Sequence, residues 1–467
     1  MKEGTARQIS VFALVLLITG AIDSIRNLPT TALFGSTLLF FFTFSAIVFL
    51  IPVALVSAEL SSTFADEEGG VYSWVRRAFG ENAAFFTIWL QWINTMVWYP
   101  TILSFIAGTL AWLINPALAQ NKLYLVSVIL IVFWSLTLVG LSGLRASAAF
   151  ASFCAIIGMI LPMGFIILLA IIWVIQGQPL AIDLHPQNLL PRWGDMQSWV
   201  SLTAIMTSFL GMELAAVHVR DVRDPQRNFP RAMLYSVLLI LTTMILGSLA
   251  IAVVLPHDKI NLVEGVMQAF GNFFAVWHLE WLLPLIPILL LIGSLGSMVN
   301  WIISPAKGLL LAADNGFLPH WLYRRNRHGI ASRILLLQAI LVTLLCSGFL
   351  LFPGINAIYW LFTDLSTELY IMMYVMLFLA ALRIKKRFPD IRRPFAIPGG
   401  KPGFYTACLL GLAGCTITLI VGFIPPESSV GAEGTSHYPL VFGCGIALML
   451  APALLLYWRK RICLSAK

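Results

Sequence analysis

The stretch TGAIDSIRNLP, residues 19–29, decides how this chain is read. It interrupts a run of bulky apolar side chains that begins near Ile9, and it places Asp23 and Arg26 about halfway along a segment long enough to cross a bilayer. An ionisable side chain at that depth costs roughly 2.5–3.5 kcal/mol on insertion scales, so it is kept where it faces a cavity, a partner or a pathway. Working outward from this segment, apolar stretches of about 20 residues recur along the whole chain. Twelve membrane spans are expected, over 9–30, 37–60, 84–113, 123–142, 148–176, 197–218, 229–255, 280–312, 332–352, 356–383, 403–424 and 438–458.

The composition agrees with that reading. Apolar residues make up 59% and charged residues 11% of the 467 positions, and the mean hydropathy is +0.89. A soluble chain carries about 25% charged residues, so this one has too few to cover a water-facing surface. The expected fold is an all-α polytopic membrane protein. The opening MKEGTARQIS is charged, but the apolar run after it continues past a signal-peptide core and offers no small-residue cleavage site. The net charge of +8 does not point to nucleic acid. Of the 29 lysines and arginines, 24 fall in loops and tails on one side of the expected topology. Lys122, Arg192 and Lys259 fall on the other, and Arg26 and Lys307 lie inside spans. That asymmetry predicts a membrane protein with both termini in the cytoplasm. The six cysteines are scattered with no paired Cys or Cys/His spacing, so neither metal nor cofactor is expected. They read as small apolar groups.

Two spans are broken at mid-depth. The first is interrupted at Gly20 and at Asp23-Ser24, the sixth, in SFLGMELAAVHV, at Gly211 and Glu213. Gly20 and Gly211 are 191 residues apart, and the same offset carries the second span onto the seventh. A unit of five spans is odd, so its second copy must run with inverted topology. Interrupted helices at matching places in inverted repeats mark the substrate site of secondary transporters. Non-helical backbone is tolerated at that depth where it lines a cavity. Free N–H ends favour a carboxylate and free carbonyl ends an ammonium, a combination that suits a zwitterionic amino acid. Two readings of Asp23 and Arg26 stand side by side: at a spacing of three they can pair on one helix face, or they can border the cavity. Glu213 likewise reads either as part of the site or as a structural hydrogen-bonder.

The segments FADEEGGVYSWVRRAFG (64–80), SFLGMELAAVHVRDVRDPQRNFPRAM (208–233), NLVEGVMQAF (261–270), SPAKGLLLAADNGFLP (304–319) and FPDIRRPFAIPGGKPG (388–403) resemble the amino acid–polyamine–organocation superfamily of permeases. Within it, the chain is most similar to the bacterial glutamate/GABA antiporter branch. The resemblance implies a LeuT-like fold of two inverted five-helix repeats, with broken helices 1 and 6, two further C-terminal helices, and alternating access. On that pattern residues 1–177 form the first repeat, 178–386 the second, and 387–467 the last two helices and a short basic tail. It places the unwound part of span 1 on Ile22, Asp23 and Ser24, without the family's glycines, and that of span 6 on Ser208 to Glu213, including Gly211. The lid aromatic of the arginine/agmatine exchanger falls on Thr207 and its gate aromatic on Met298, with Trp301 three residues later on the same face. Where some members carry a sodium-mimicking lysine, this chain has Ser152. That branch is described as carrying a C-terminal plug. The YWRKRICLSAK that follows the last span here is too short for one and is expected to lie on anionic headgroups.

Further polar groups face inward by the same cost argument. Span 3 offers Gln91, Asn94, Trp98 and Tyr99, and span 10 offers Asp364, Ser366, Thr367 and Glu368. Asp364 and Glu368, four apart, repel if both ionise, which makes them and Glu213 candidates for proton coupling, although Asp364 also reads as a residue at the water boundary. His218 closes span 6, either as a titrating gate or as a solvated helix end. The expected function is transport of an amino acid, by antiport or proton coupling. The alternative is a polyamine or amine carrier using Asp23 and Glu213, against which Arg26 argues. The expected partners are that small solute, the lipid bilayer and the proton. A membrane-embedded enzyme would need a nucleophile, base or metal set, and none is found. A channel would need rings of charge or repeated pore segments.

Overall fold

The computed structural model describes residues 9–65, 70–142, 148–194, 196–214, 216, 222–310, 316–352, 354–425 and 427–465. His218 and the basic residues Lys2, Arg7, Arg145, Arg220 and Lys467 lie outside these. The described chain is helical, and its one recorded β contact is an isolated parallel bridge from Ile9 to Val222.

The chain opens with α1 (Val11–Ile22), whose first turn is capped by the Ser10 hydroxyl accepting from the Ala13 N–H at 3.2 Å. α1 stops at Asp23, and Ser24 is extended at φ −147°, ψ 116°. A tight turn over Ile25–Asn27 then leads into α2 (Leu28–Ala32). Aspartate and serine compete for backbone hydrogen bonds and favour caps over helix interiors. Pro29 has no N–H to donate and starts a helix better than it continues one. Together they split the span at Asp23-Ser24, one of its two expected points; Gly20, the other, lies inside α1 and stays helical.

The second span joins α3 (Leu38–Ser45) to α4 (Ile51–Thr63) through a wide π turn over Ala46–Leu50. After α5 (Val71–Phe79), α6 (Glu81–Ile114) and α7 (Lys122–Leu141), the fifth span repeats that design. There α8 (Ala148–Ala155) meets α9 (Leu161–Ile175) through a π turn over Ile156–Ile160. Both π turns are followed by proline, Pro52 and Pro162. The missing N–H relaxes the regular ladder and lets one extra residue into the turn.

α10 (Ser201–Thr207) has only seven residues, and the chain leaves it through a turn in which Gly211 stands at φ +108°. Glycine occupies that region without steric cost. The rest comprises α11 (Pro225–Val254), α12 (Gly265–Val276), α13 (Leu285–Leu310), α14 (Ser332–Cys346), α15 (Gly348–Leu351), α16 (Ile355–Arg387), α17 (Gly400–Val421) and α18 (Glu427–Ser465). Among the described residues, 11 helical stretches are long and apolar enough to cross a membrane. They match the expected spans except 197–218, where the short α10 and the turn after it replace a continuous helix.

α6 and α16 run along one another at the centre, with Trp92, Tyr99, Trp360 and Tyr374 fully enclosed. α7 and α18 are peripheral and carry large exposed apolar side chains such as Leu123, Ile131, Leu138, Leu448 and Leu455. Such a surface suits lipid, not water. Cys154, Cys346, Cys408 and Cys415 are buried, whereas Cys444 is exposed on α18.

One helix crossing depends on the absence of side chains. A Cβ on Gly158, in the second π turn, would lie 2.1 Å from the Cα of Gly293 on α13. Backbone is on both sides of that contact, so nothing can rotate away. Gly158→Ala is expected to cost about 1–3 kcal/mol through overpacking, measurable as a lower melting temperature of the purified protein in detergent. A variant melting with the wild type would mean that the two segments separate without penalty.

Candidate functional site

The two breaks meet at a small polar cavity. The first break contributes Arg26, Asn27 and Thr30, and α10 contributes Ala204 and Thr207. α6 adds Trp98 and Thr101, and α16 adds Tyr359, Thr363 and Ser366. Hydroxyls dominate the lining, and one group in it carries a fixed charge.

Arg26 is 5% exposed. Its Nη1 donates to the Thr101 hydroxyl at 2.5 Å, and its guanidinium carbon sits 5.2 Å from the centroid of the Trp98 ring. Its Nε finds no acceptor, and no carboxylate among the described residues pairs with it. Pro100, inside α6, leaves the Met96 carbonyl without its usual donor and loosens the helix between Trp98 and Thr101. The Thr101 hydroxyl turns back to donate to the Trp98 carbonyl at 2.8 Å. Arginine therefore presents its charge and its planar fork to the cavity with only neutral groups around it. A buried cation in that state is poorly compensated and binds an anion strongly when one arrives.

Asp23 does not pair with Arg26. Its Oδ2 accepts from the Thr243 hydroxyl of α11 at 2.7 Å, and its Oδ1 is buried without a partner. It faces α11 and is not part of the cavity lining, nor are Ile22 and Ser24. Ile22 sits in the apolar core.

Beyond the α10 break, Glu213 is enclosed. Tyr370 donates to its Oε1 at 2.5 Å, Tyr374 donates to its Oε2, and Gln91 approaches Oε1 at 3.4 Å. The Gly211 N–H donates to the Tyr374 hydroxyl at 2.8 Å. Among the described residues, these bonds tie the segment after α10 to α16 and α6. Ser208 donates back to the Ala204 carbonyl at 3.2 Å.

Thr207 lines the cavity and shares a 2.5 Å hydrogen bond with the Thr367 hydroxyl. Asn94 stands behind the lining, its Oδ1 accepting from Ser366 at 2.5 Å. Trp301 packs 5.3 Å from Trp98, centroid to centroid, and its carbonyl accepts from Tyr99 at 2.6 Å. Met298 is fully buried in the core. Asp364 and Glu368 lie on a different side of α16, towards α17 and α18.

Of the residues expected from sequence, the cavity gathers Arg26, Trp98, Thr207 and Ser366. Asn27, Thr30, Thr101, Tyr359 and Thr363 join it without having been singled out. Their signal was weak: hydroxyl and amide side chains occur throughout membrane helices, and many satisfy their own helix carbonyls, as Thr363 does with Tyr359 at 2.9 Å.

The amino acid permease family matches residues 9–449. An uncharacterized transporter of Legionella pneumophila is 42% identical over 419 residues, 90% of each chain. A glutamate/gamma-aminobutyrate antiporter of Lactococcus lactis is 27% identical over 439 residues, covering 93% of this chain and 87% of its own. A probable agmatine/putrescine antiporter of the same species is 23% identical over 451 residues, 96% and 94% of the two chains. The match over nearly the whole length, on a helical chain with 11 apolar stretches of membrane-crossing length, makes this protein a member of the amino acid permease family, a multi-pass membrane transporter and not an enzyme.

Proposed function

We propose that this permease carries an amino acid by alternating access, as an antiporter or a proton-coupled carrier, and that Arg26 grips a carboxylate of the substrate. The observation that carries the reading is the buried Arg26 guanidinium, which faces a cavity of neutral hydroxyls with no counter-ion among the described residues. Trp98 offers a ring face to an ammonium, and Thr207, Thr363 and Ser366 offer hydroxyl acceptors. Asn94 and Trp301 hold the lining from behind. Ile22, Asp23, Ser24, Ser208, Gly211, Glu213 and Met298 shape the breaks and the walls.

The same reading takes the stretch 197–218 as a sixth crossing, split at Thr207, which brings the total to twelve. Residues 1–177 and 178–386 then form the inverted repeats, and 387–467 the last helices and tail. In support, each of the two breaks supplies cavity residues, Arg26 from one and Thr207 from the other. The basic asymmetry of the loops supports cytoplasmic termini in a bacterial inner membrane.

A polyamine has no carboxylate and would bring like charge to Arg26. The test is counterflow in proteoliposomes preloaded with labelled glutamate, γ-aminobutyrate, a neutral amino acid or putrescine. Exchange of one or more carboxylate-bearing compounds, with none for putrescine, is the expected result. Putrescine exchange without exchange of any carboxylate-bearing compound would overturn the proposal.

A further inference from the structure

α16 carries two polar stripes. Tyr359, Thr363 and Ser366 face the cavity, and Trp360, Asp364 and Glu368, spaced four apart, face α17 and α18. Neither carboxylate has any exposed surface. The Tyr438 hydroxyl of α18 donates to Asp364 Oδ2 at 2.6 Å. Asp364 Oδ1 and both oxygens of Glu368 are buried with no hydrogen-bond partner, so three of the pair's four oxygens are unsatisfied. No lysine or arginine among the described residues forms an ion pair with either. The other titratable groups facing the pair among those residues are Tyr438 on α18 and Cys415 on α17, and the Trp360 indole lies against Asp364. α6 and α10 meet α16 through Asn94 and Thr207, which are neutral. Glu213 is engaged on another side by Tyr370 and Tyr374.

Two ionised carboxylates one helical turn apart repel, and an ionised carboxylate buried without donors is costly. A proton bound to one carboxylate removes the repulsion and the cost of burying that group's charge, leaving the other as the only anion. The pair lies nearest to solvent at one end, where the buried Gly422 is followed by the exposed Phe423. The carboxyl of Glu368 abuts the turn that ends α17, where a Cβ on Gly422 would lie 2.0 Å from Oε1. That turn is at the end of α17 opposite the basic loop 383–401.

We infer that Asp364 and Glu368 form a proton-binding site, separate from the substrate cavity, through which α17 and α18 bias the position of α16. A proton bonds to a carboxylate oxygen of the pair and leaves as the same proton when α16 moves and the turn after Val421 opens to water. This rests on the transport reading above, because its readout is coupling to substrate.

The experiment uses the full-length protein in proteoliposomes. Wild type should accumulate substrate in empty vesicles when a pH gradient is imposed. In Glu368→Gln that uptake should fall about tenfold, within the usual range of coupling energies, while substrate exchange stays within about twofold. Glu368→Asp, which keeps a proton carrier, should retain gradient-driven uptake. Gradient-driven uptake surviving in Glu368→Gln would overturn the inference, as would wild-type exchange with no response to a gradient. If no carboxylate-bearing compound exchanges at all, the transport reading has failed, and infrared titration decides the site alone. A carboxylic-acid carbonyl band that vanishes in the Asp364→Asn, Glu368→Gln double variant sustains a bound proton, and an unchanged band removes it.

Discussion

Replacing Arg26 with methionine should weaken substrate binding severely while making the empty protein no less stable. Truncating one partner of a buried charge pair typically costs about 2–5 kcal/mol of binding, so affinity should fall by about two orders of magnitude. The stability half of the prediction has the opposite sign. Arg26 is buried beside Thr101 and Trp98 with its Nε unpartnered. An apolar side chain of similar length removes an uncompensated charge from a low-dielectric site, which is neutral or stabilising. Thermal unfolding of the purified protein, with and without substrate, tests both halves. Wild type should gain stability on adding substrate and Arg26→Met should not, with its own melting temperature equal or higher. Arg26→Lys separates charge from shape. It keeps the cation and loses the fork that meets a carboxylate with two bonds, so about tenfold of affinity should go. A melting temperature that drops sharply in Arg26→Met, with binding retained, would make the arginine a structural residue.

The second large effect is expected at Glu59, which is 1% exposed near the end of α4. Its Oε1 takes Lys385 Nζ at 2.7 Å and Arg393 Nε at 3.2 Å, and its Oε2 accepts the Ile397 N–H at 2.9 Å. One carboxylate thus joins the end of α16 to the loop that precedes α17. That loop turns through Gly399 and Gly400 at φ +85° and +65°, and a Cβ on Gly403 would meet the Pro398 carbonyl at 1.9 Å. Glu59→Gln leaves two cations short of their anion. Removing one member of a buried ionic cluster costs about 3–5 kcal/mol. Low yield, a lower melting temperature and proteolytic cleavage within 388–399 are the expected signs. Lys385→Ala should be milder, because Arg393 and the Ile397 N–H still satisfy the carboxylate. A Glu59→Gln protein as stable and protease-resistant as wild type would show that the cluster holds nothing together.

How much of this was legible in the sequence varies by residue. The break at Asp23-Ser24 was readable because residue chemistry acts locally: side chains that cap helices, followed by a proline, stop a helix wherever they occur. Which of Asp23 and Arg26 would face the cavity was not readable. The three-residue spacing puts them on one face only if the helix continues, and Ser24 is extended at ψ 116°, which turns the two side chains apart. Glu59 gave no signal in VSAELSS because its partners lie 326 and 338 residues away. The hydroxyls of the cavity were equally silent, since a threonine satisfied by its own helix reads the same as one that lines a site.

Hydropathy and charge bias alone settled that this chain lives in a bilayer as helices, because every residue meets the same solvent rule and the rule is additive along the chain. They also marked the two spans that break, since capping and proline effects reach only a turn or so. The tertiary structure decided the rest: that Arg26 stands without a counter-ion while Asp23 turns to α11, that Glu213 belongs to two tyrosines of α16, and that Asp364 and Glu368 look away from the cavity. Those outcomes depend on which distant helices are brought alongside, and long-range packing leaves no local trace in the order of the residues.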